Sequence, residues 1–292
     1  LTRKSVSDIT GLATMWSNDG AMKNNGVDFN VNAMLVQHKD WRWQAGFSIG
    51  HYKNEITALP ESNATTIRTY ALDDNGARIA SSEKQIHGYT SSIYGDNNIL
   101  TAVGHAAGVF YGYKTAGVFA TDAEARAAGK DGNYLRYPTG ISDASKSSRN
   151  FMAGDVHFVD QNGDGWINEA DMVVIGDPNP DIYGNIFTTL AYKRFRLDVN
   201  FNYSLGNDVY NYMRSQLEGG SRFMNQTTAL TRRWQTEGQV TAIPKATFQD
   251  PMGNSRFSDR WIEDGSYLRL KTVTLSYRLP VNSTLLQGFE FW

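Results

Sequence analysis

Trp41-Arg42-Trp43-Gln44-Ala45-Gly46-Phe47-Ser48-Ile49-Gly50 alternates without a break, with Trp41, Trp43, Ala45, Phe47 and Ile49 set between Arg42, Gln44, Gly46, Ser48 and Gly50. Successive residues of an extended chain point to opposite faces, so this segment reads as a β-strand with one apolar and one polar side. The pattern returns in Phe195, Leu197, Val199, Phe201 and Tyr203, which alternate with Arg196, Asp198, Asn200 and Asn202. It returns again in Val273, Leu275, Tyr277 and Leu279 against Thr272, Thr274, Ser276 and Arg278. Just upstream, Leu268 and Leu270 fall on even numbers. The phase therefore changes near Lys271, and a β-bulge is predicted there.

The alternating segments come in pairs. Phe29 to Val36 and Trp41 to His51 are separated by Gln37-His38-Lys39-Asp40, and Tyr183 to Tyr192 and Phe195 to Tyr203 by Lys193-Arg194. Such spacing predicts antiparallel hairpins. Other connections are long, above all the one from Gly206 to Ile262. Soluble sandwiches rarely carry connections of that length. Outer-membrane barrels do, because short periplasmic turns alternate with long outer loops. Aromatic residues near the strand ends suit an interfacial girdle. A soluble β-sandwich shares the alternation and is weighed beside the barrel; the loop asymmetry favours the barrel.

Composition narrows the function. The 292 residues carry 28 Lys+Arg and 30 Asp+Glu, a formal charge of −2, with no basic stripe to attract nucleic acid. Only 40% are hydrophobic, yet 12% are aromatic, which suits strands that show one face to something apolar and the other to water. There is no cysteine, which excludes disulfides, thiolate metal sites and cysteine nucleophiles. No run approaches the roughly 18 apolar residues of a spanning helix. A barrel strand needs only about 10 residues of alternating polarity.

One motif carries chemistry. Asp160-Gln161-Asn162-Gly163-Asp164-Gly165-Trp166-Ile167-Asn168-Glu169-Ala170-Asp171 has the spacing of an EF-hand calcium loop. Asp160, Asn162 and Asp164 would offer side-chain oxygens, Gly165 the sharp turn, and Trp166 its carbonyl. Asn168 would act through water, and Asp171 would supply the closing carboxylate in place of the usual glutamate. The flanks around Val156, Phe158 and Met172 to Ile175 look extended rather than helical. Bound Ca2+ is therefore expected to staple the loop, not to work a sensor. In a barrel, the short Lys193-Arg194 turn would be periplasmic, which places the calcium loop on the outer side.

Catalytic signals are weak, and no enzyme is expected. Gly46-Phe47-Ser48-Ile49-Gly50 matches a hydrolase nucleophile elbow in letters only, since its serine lies inside an alternating strand. His38, His51, His87, His105 and His157 are scattered without metal spacing. Glu263-Asp264 has no second carboxylate placed across a cleft. Two short helices are predicted in the connections. One opens at Thr121-Asp122-Ala123-Glu124, a capping box, and the other runs within Asn225 to Gln235.

The order of motifs resembles a known family. Gly154-Asp155-Val156-His157-Phe158-Val159 leads into the calcium loop, followed by Val174-Ile175-Gly176-Asp177-Pro178-Asn179-Pro180, Tyr183-Gly184 and a hairpin. Then come Gly206-Asn207-Asp208-Val209-Tyr210-Asn211 and the run Ser258-Asp259-Arg260-Trp261-Ile262-Glu263-Asp264-Gly265-Ser266-Tyr267-Leu268-Arg269-Leu270-Lys271. This is similar to the C-terminal barrel region of SusC/RagA-type TonB-dependent transporters. The resemblance implies an all-β fold: a transmembrane antiparallel β-barrel, 22-stranded and plugged, in the outer membrane of a Gram-negative bacterium. Residues 1–292 would form its C-terminal part, with the plug domain, TonB box and early strands absent from the chain. It implies import of oligosaccharides or peptides, energised by the TonB complex, with a SusD-like surface lipoprotein as partner and lipid around the wall. Tyr210, Tyr212, Phe223 and Trp234 in the long loop are the candidate contacts for partner or substrate. The alternative is a secreted, calcium-stabilised β-domain that binds carbohydrate.

Overall fold

In the computed structural model, which describes residues 2–5, 9, 11, 14–18, 20–59, 65–69, 84–93, 96–138, 148–280 and 289–291, the alternating segments are strands of one sheet. Its order is Phe289–Phe291, Tyr267–Leu279, Phe195–Leu205, Ile182–Tyr192, Trp41–Ala58 and Ala21–Gln37. The predicted hairpins are present, turning at 38–40 and at Lys193-Arg194. Lys193 takes a positive φ of 53° there, which lets two residues reverse the chain.

Register sorts the side chains into rows. Trp43 pairs with Leu190, Leu190 with Leu197, and Leu197 with Leu275. Phe47, Ile186, Phe201 and Leu270 form another row, and Trp41, Tyr192, Phe195 and Tyr277 a wholly aromatic one beside the turns. In that row Trp41 lies 4.4 Å from Tyr192 and Phe195 4.6 Å from Tyr277, centroid to centroid. The expected bulge is found: Asn200 opposes Thr272 and Phe201 opposes Leu270, leaving Lys271 unmatched. That extra residue brings even-numbered Leu270 and odd-numbered Val273 onto the same face.

The opposite face is polar. Gln44, Thr189, Asp198 and Thr274 align across it, as do Ser48, Asn185, Asn202 and Arg269. Asn185 donates to the side-chain oxygens of Asn200 and Asn202, and Thr189 donates to Asp198, which also takes two bonds from Arg196. Ser48 lies within this strand pairing, which rules out the strand-to-helix turn that a nucleophile elbow requires.

A second sheet of five strands runs Met172–Gly176, Val109–Tyr113, Asp96–Ala102, Lys84–Ile93 and Thr65–Thr69, with Leu100, Ala102, Val109 and Tyr111 buried on it. The described strands make open sheets and do not close into a barrel. By contact, the chain divides into two compact units. One comprises Leu1–Met22, Glu55–Asp177 and Val209–Glu263, and the other Lys23–Asn54, Pro178–Asp208 and Asp264–Trp292.

The helix predicted at Thr121 is present as Asp122–Ala127, with the Thr121 hydroxyl accepting from Glu124 N–H at 3.2 Å. Glu124 accepts from Ala120 N–H, one residue earlier than a strict capping box requires. The helix predicted within Asn225 to Gln235 needs correction, because that stretch holds only a short 3-10 turn, Thr228–Arg232. An unpredicted helix, Tyr212–Glu218, precedes it. Asn211 caps it by accepting from Arg214 N–H, and an Arg214–Glu218 ion pair spans one turn at 3.0 Å.

Gly184 is the tightest point of the six-stranded sheet. A Cβ there would lie 2.0 Å from the Ser48 carbonyl oxygen and 2.6 Å from the Tyr203 hydroxyl, which itself donates to that carbonyl at 2.9 Å. Tyr203 thus folds over the glycine and fills the space a side chain would need. Gly184→Val in the full-length protein is expected to cost about 2–4 kcal/mol through overpacking and the lost hydrogen bond, read as a lower unfolding midpoint in urea. An unchanged midpoint would mean the close approach is not a constraint.

Candidate functional site

The Asp160–Asp171 loop connects the strands Val156–Phe158 and Met172–Gly176, so both flanks are extended as the sequence predicts. Val156, Phe158 and Ile167 sink into a core with Phe119, Leu135 and Phe151, which anchors the loop at both ends. Gly163 at φ 70° and Gly165 at φ 83° adopt the left-handed conformation that the curl demands.

Inside the curl, carboxylates and amides hold backbone N–H groups. Asp160 accepts from Gly163 (2.7 Å), Asp164 (3.3 Å) and Gly165 (2.7 Å). Asn162 accepts from Asp164 N–H at 2.9 Å and donates its own amide to the Asp164 carboxylate at 3.0 Å. Asp164 in turn accepts from Trp166 N–H at 2.7 Å. At the far end, Asn168 accepts from Ala170 N–H, and Asp171 accepts from Gln161 N–H at 2.9 Å and Asn168 N–H at 2.8 Å. Asp171 thereby ties the start of the loop to its finish. From outside, Arg136 pairs its backbone with Gly165 and Ile167, and its guanidinium lies 4.0 Å from the Trp166 ring.

The predicted ligands are therefore gathered on one short curl. Asp160, Asn162 and Asp164 are linked to one another, and Asp171 reaches back to the residue after Asp160. These are hard oxygen donors, the kind Ca2+ takes six to eight of. Among the described residues, however, no three His, Cys, Asp or Glu side chains converge as a ready metal shell. One predicted ligand is an amide, and the carboxylates are turned onto backbone N–H groups. The donor chemistry fits calcium, provided Asp171 shares oxygens that now serve as caps.

Asp171 is fully buried. Burial pushes its pKa up to about 6, and the nearby Asp160 and Asp164 charges push the same way against the two N–H bonds. Because its folded pKa is raised, its contribution to stability is fully present below the ordinary carboxylate pKa of about 3.9 and is lost as pH rises through the folded value. In chelator-treated protein, the unfolding temperature should fall as pH rises from about 4 to 7, and Asp171→Asn should flatten that slope. A slope that Asp171→Asn leaves intact would place the titration elsewhere.

The aromatic residues predicted in the long loop occupy different settings. Tyr210 packs edge-on to Phe257 at 4.8 Å, lies 6.1 Å from Tyr212, and shares a 3.1 Å hydrogen bond with Ser215. Trp234 donates to the Ala120 carbonyl at 3.1 Å and covers Gly154, where a Cβ would meet its ring at 2.5 Å. Phe223 is 91% exposed and stacks on Phe248 at 4.7 Å. Sequence reasoning missed Phe248 because irregular loops have no periodicity to reveal such a pair. It also missed Asp155, a buried carboxylate that accepts from Lys245 (3.0 Å), Asn254 (2.9 Å) and Met152 N–H (2.9 Å).

No protein-family model matches the chain. TonB-dependent receptor P3 of Formosa agariphila is 28% identical over 275 residues, covering 94% of this chain and 23% of the receptor. TonB-dependent receptor SusC of Bacteroides thetaiotaomicron is 24% identical over 266 residues, covering 91% of this chain and 21% of SusC. A solved structure of the RagAB peptide transporter matches in fold with a TM-score of 0.61 at 23% identity, covering 95% of this chain and 25% of that one. The chain thus spans less than a quarter of the length of these curated relatives. Over nearly its whole length, this chain is a homologue of the TonB-dependent receptors, SusC among them.

Proposed function

We propose that the chain forms part of the barrel wall of a TonB-dependent transporter in a Gram-negative outer membrane. The transporter imports nutrient oligomers, oligosaccharides or peptides, together with a SusD-like surface lipoprotein. The observation that carries this reading is the apolar face of the six-stranded sheet. Phe47, Ile186, Leu270, Val273 and Leu275 stand there in register and remain between 42% and 60% exposed. A water-soluble surface rarely leaves so continuous an apolar patch uncovered. Hydrocarbon would satisfy it, with the aromatic row beside the hairpin turns lying near the membrane interface. The polar face, laddered by asparagine and threonine, then lines the interior. The relatives are named receptors and transporters, which fits a role without catalysis.

The secreted carbohydrate-binding domain is the second reading, and the calcium loop suits it equally. The exposed apolar rows do not. Full-length protein is expected in the outer-membrane detergent fraction as a heat-modifiable band, co-purifying with a lipoprotein. Deleting the loop from Gly206 to Ile262 should weaken that co-purification. Protein that is soluble and monomeric without detergent would sink the transporter reading.

Ca2+ in the Asp160–Asp171 loop belongs to the proposal as a structural staple. Asp160, Asn162, Asp164 and the Trp166 carbonyl would hold it, with Asn168 and Asp171 closing the curl, and the ion would offset the repulsion among the three aspartates. At a hundredfold excess over its dissociation constant, Ca2+ should stabilise the full-length protein by about 2.7 kcal/mol. Calorimetry with Ca2+ and with chelator would read this as a shift in unfolding temperature. Asp164→Ala should abolish the shift, and a wild-type protein indifferent to Ca2+ would remove the ion from the account.

A further inference from the structure

Phe223 and Phe248 stand at the mouth of a cleft of ≈ 550 Å³ lined also by Ser221, Arg222, Asp250 and Arg256. The two phenyl rings stack at 4.7 Å, yet remain 91% and 56% exposed. Two adjacent large rings left this open form an apolar platform at the surface. The two segments that carry them are tied together by Gln249 N–H, which donates to the Ser221 carbonyl at 2.9 Å.

The second segment is strained. Gln249 and Asp250, neither of them glycine, both take left-handed φ values, 62° and 46°. The strain is sustained by the Asp250 carboxylate, which accepts from Asn254 N–H at 2.7 Å, Ser255 N–H at 2.7 Å and the Ser255 hydroxyl. Strain of this kind gathers where a ligand is held.

Charge decides the kind of ligand. The one carboxylate on the cleft, Asp250, is occupied by those bonds. The Arg256 guanidinium is anchored to the Gly253 and Met252 carbonyls and lies over the Tyr137 and Phe158 rings. Arg222 is exposed, and among the described residues no carboxylate lies within ion-pair distance of it. The cleft therefore offers the exposed Arg222 guanidinium beside an apolar platform, with the polar side chains of Ser221, Gln249 and Ser255 also on its lining. A neutral sugar has no charge to pair with Arg222. A peptide end, with carbonyls, a carboxylate and an apolar side chain, is well matched. We infer that this cleft is a peptide subsite: Phe223 and Phe248 receive the apolar C-terminal side chain, and Arg222 pairs with the terminal carboxylate.

This inference rests on the transporter reading and assigns one of its two cargo classes. The test is titration calorimetry of the full-length, detergent-solubilised receptor. The probes are the tripeptide Ala-Leu-Phe as free acid, the same peptide as its C-terminal amide, and a glucuronate trisaccharide. The free acid should bind at least about tenfold more tightly than the amide, and Phe223→Ala and Arg222→Gln should each weaken it about tenfold. Arg222→Gln should also erase the difference between acid and amide, which a purely structural role would leave in place. Equal binding of acid and amide, absent binding, indifference to both variants, or preference for the glucuronate would each overturn the subsite. Heat-modifiability and lipoprotein co-purification, measured on the same preparations, report separately on folding and on the transporter reading.

Discussion

Everything in the six-stranded sheet depends on the register of the Ile182–Tyr192 strand against its two neighbours. Side chains alternate with a period of two, so a slip of one residue would carry the whole apolar set to the polar face. Three features hold that register. The two-residue turn at Lys193-Arg194 admits one hairpin pairing. Gly184 accepts only the Ser48 carbonyl and the Tyr203 ring as neighbours. Lys271 absorbs the phase change within Tyr267–Leu279 by bulging, so the apolar rows stay unbroken across that strand.

Outside the sheets a different device recurs. Loops lack a ladder to satisfy their backbone N–H groups, and buried ones must find partners elsewhere. Short acidic side chains supply them. Asp160 and Asp171 do so in the curled loop, Asp155 at Met152, and Asp250 at Asn254 and Ser255. The same carboxylates thus build the loops and furnish their chemistry. A ligand at the curl has to share oxygens already in use, and a ligand at the Phe223 cleft meets a carboxylate with little capacity left. In both places the carboxylates are already committed to backbone N–H groups of their own loops.

Much of the strand architecture was legible because a sheet with one apolar and one polar face writes a period of two into the sequence. Trp41 to Ile49, Phe195 to Tyr203 and the shift at Lys271 could all be read directly, as could the Thr121 cap, whose hydroxyl acts on an amide three residues away. The long connection was harder. Asn225 to Gln235 has helical spacing at Leu230 and Trp234, but Trp234 turns to the Ala120 carbonyl, 114 positions earlier, and the segment tightens into a 3-10 turn. Tyr212–Glu218 is helical through Asn211 and a partner at Glu263, neither of which forms a periodic signal.

The sequence by itself determined the two-faced strands, the hairpins and the order of oxygen-bearing side chains in the Asp160–Asp171 loop, because each is a matter of neighbours a few residues apart. Tertiary structure alone decided that Asp171 is buried and capping, that Trp234 is structural while Phe223 is exposed, and that Phe248 stands opposite Phe223 with Arg222 beside them. These are contacts between distant segments of irregular backbone. They are set by packing and by which amide each carboxylate reaches, and no local periodicity records them.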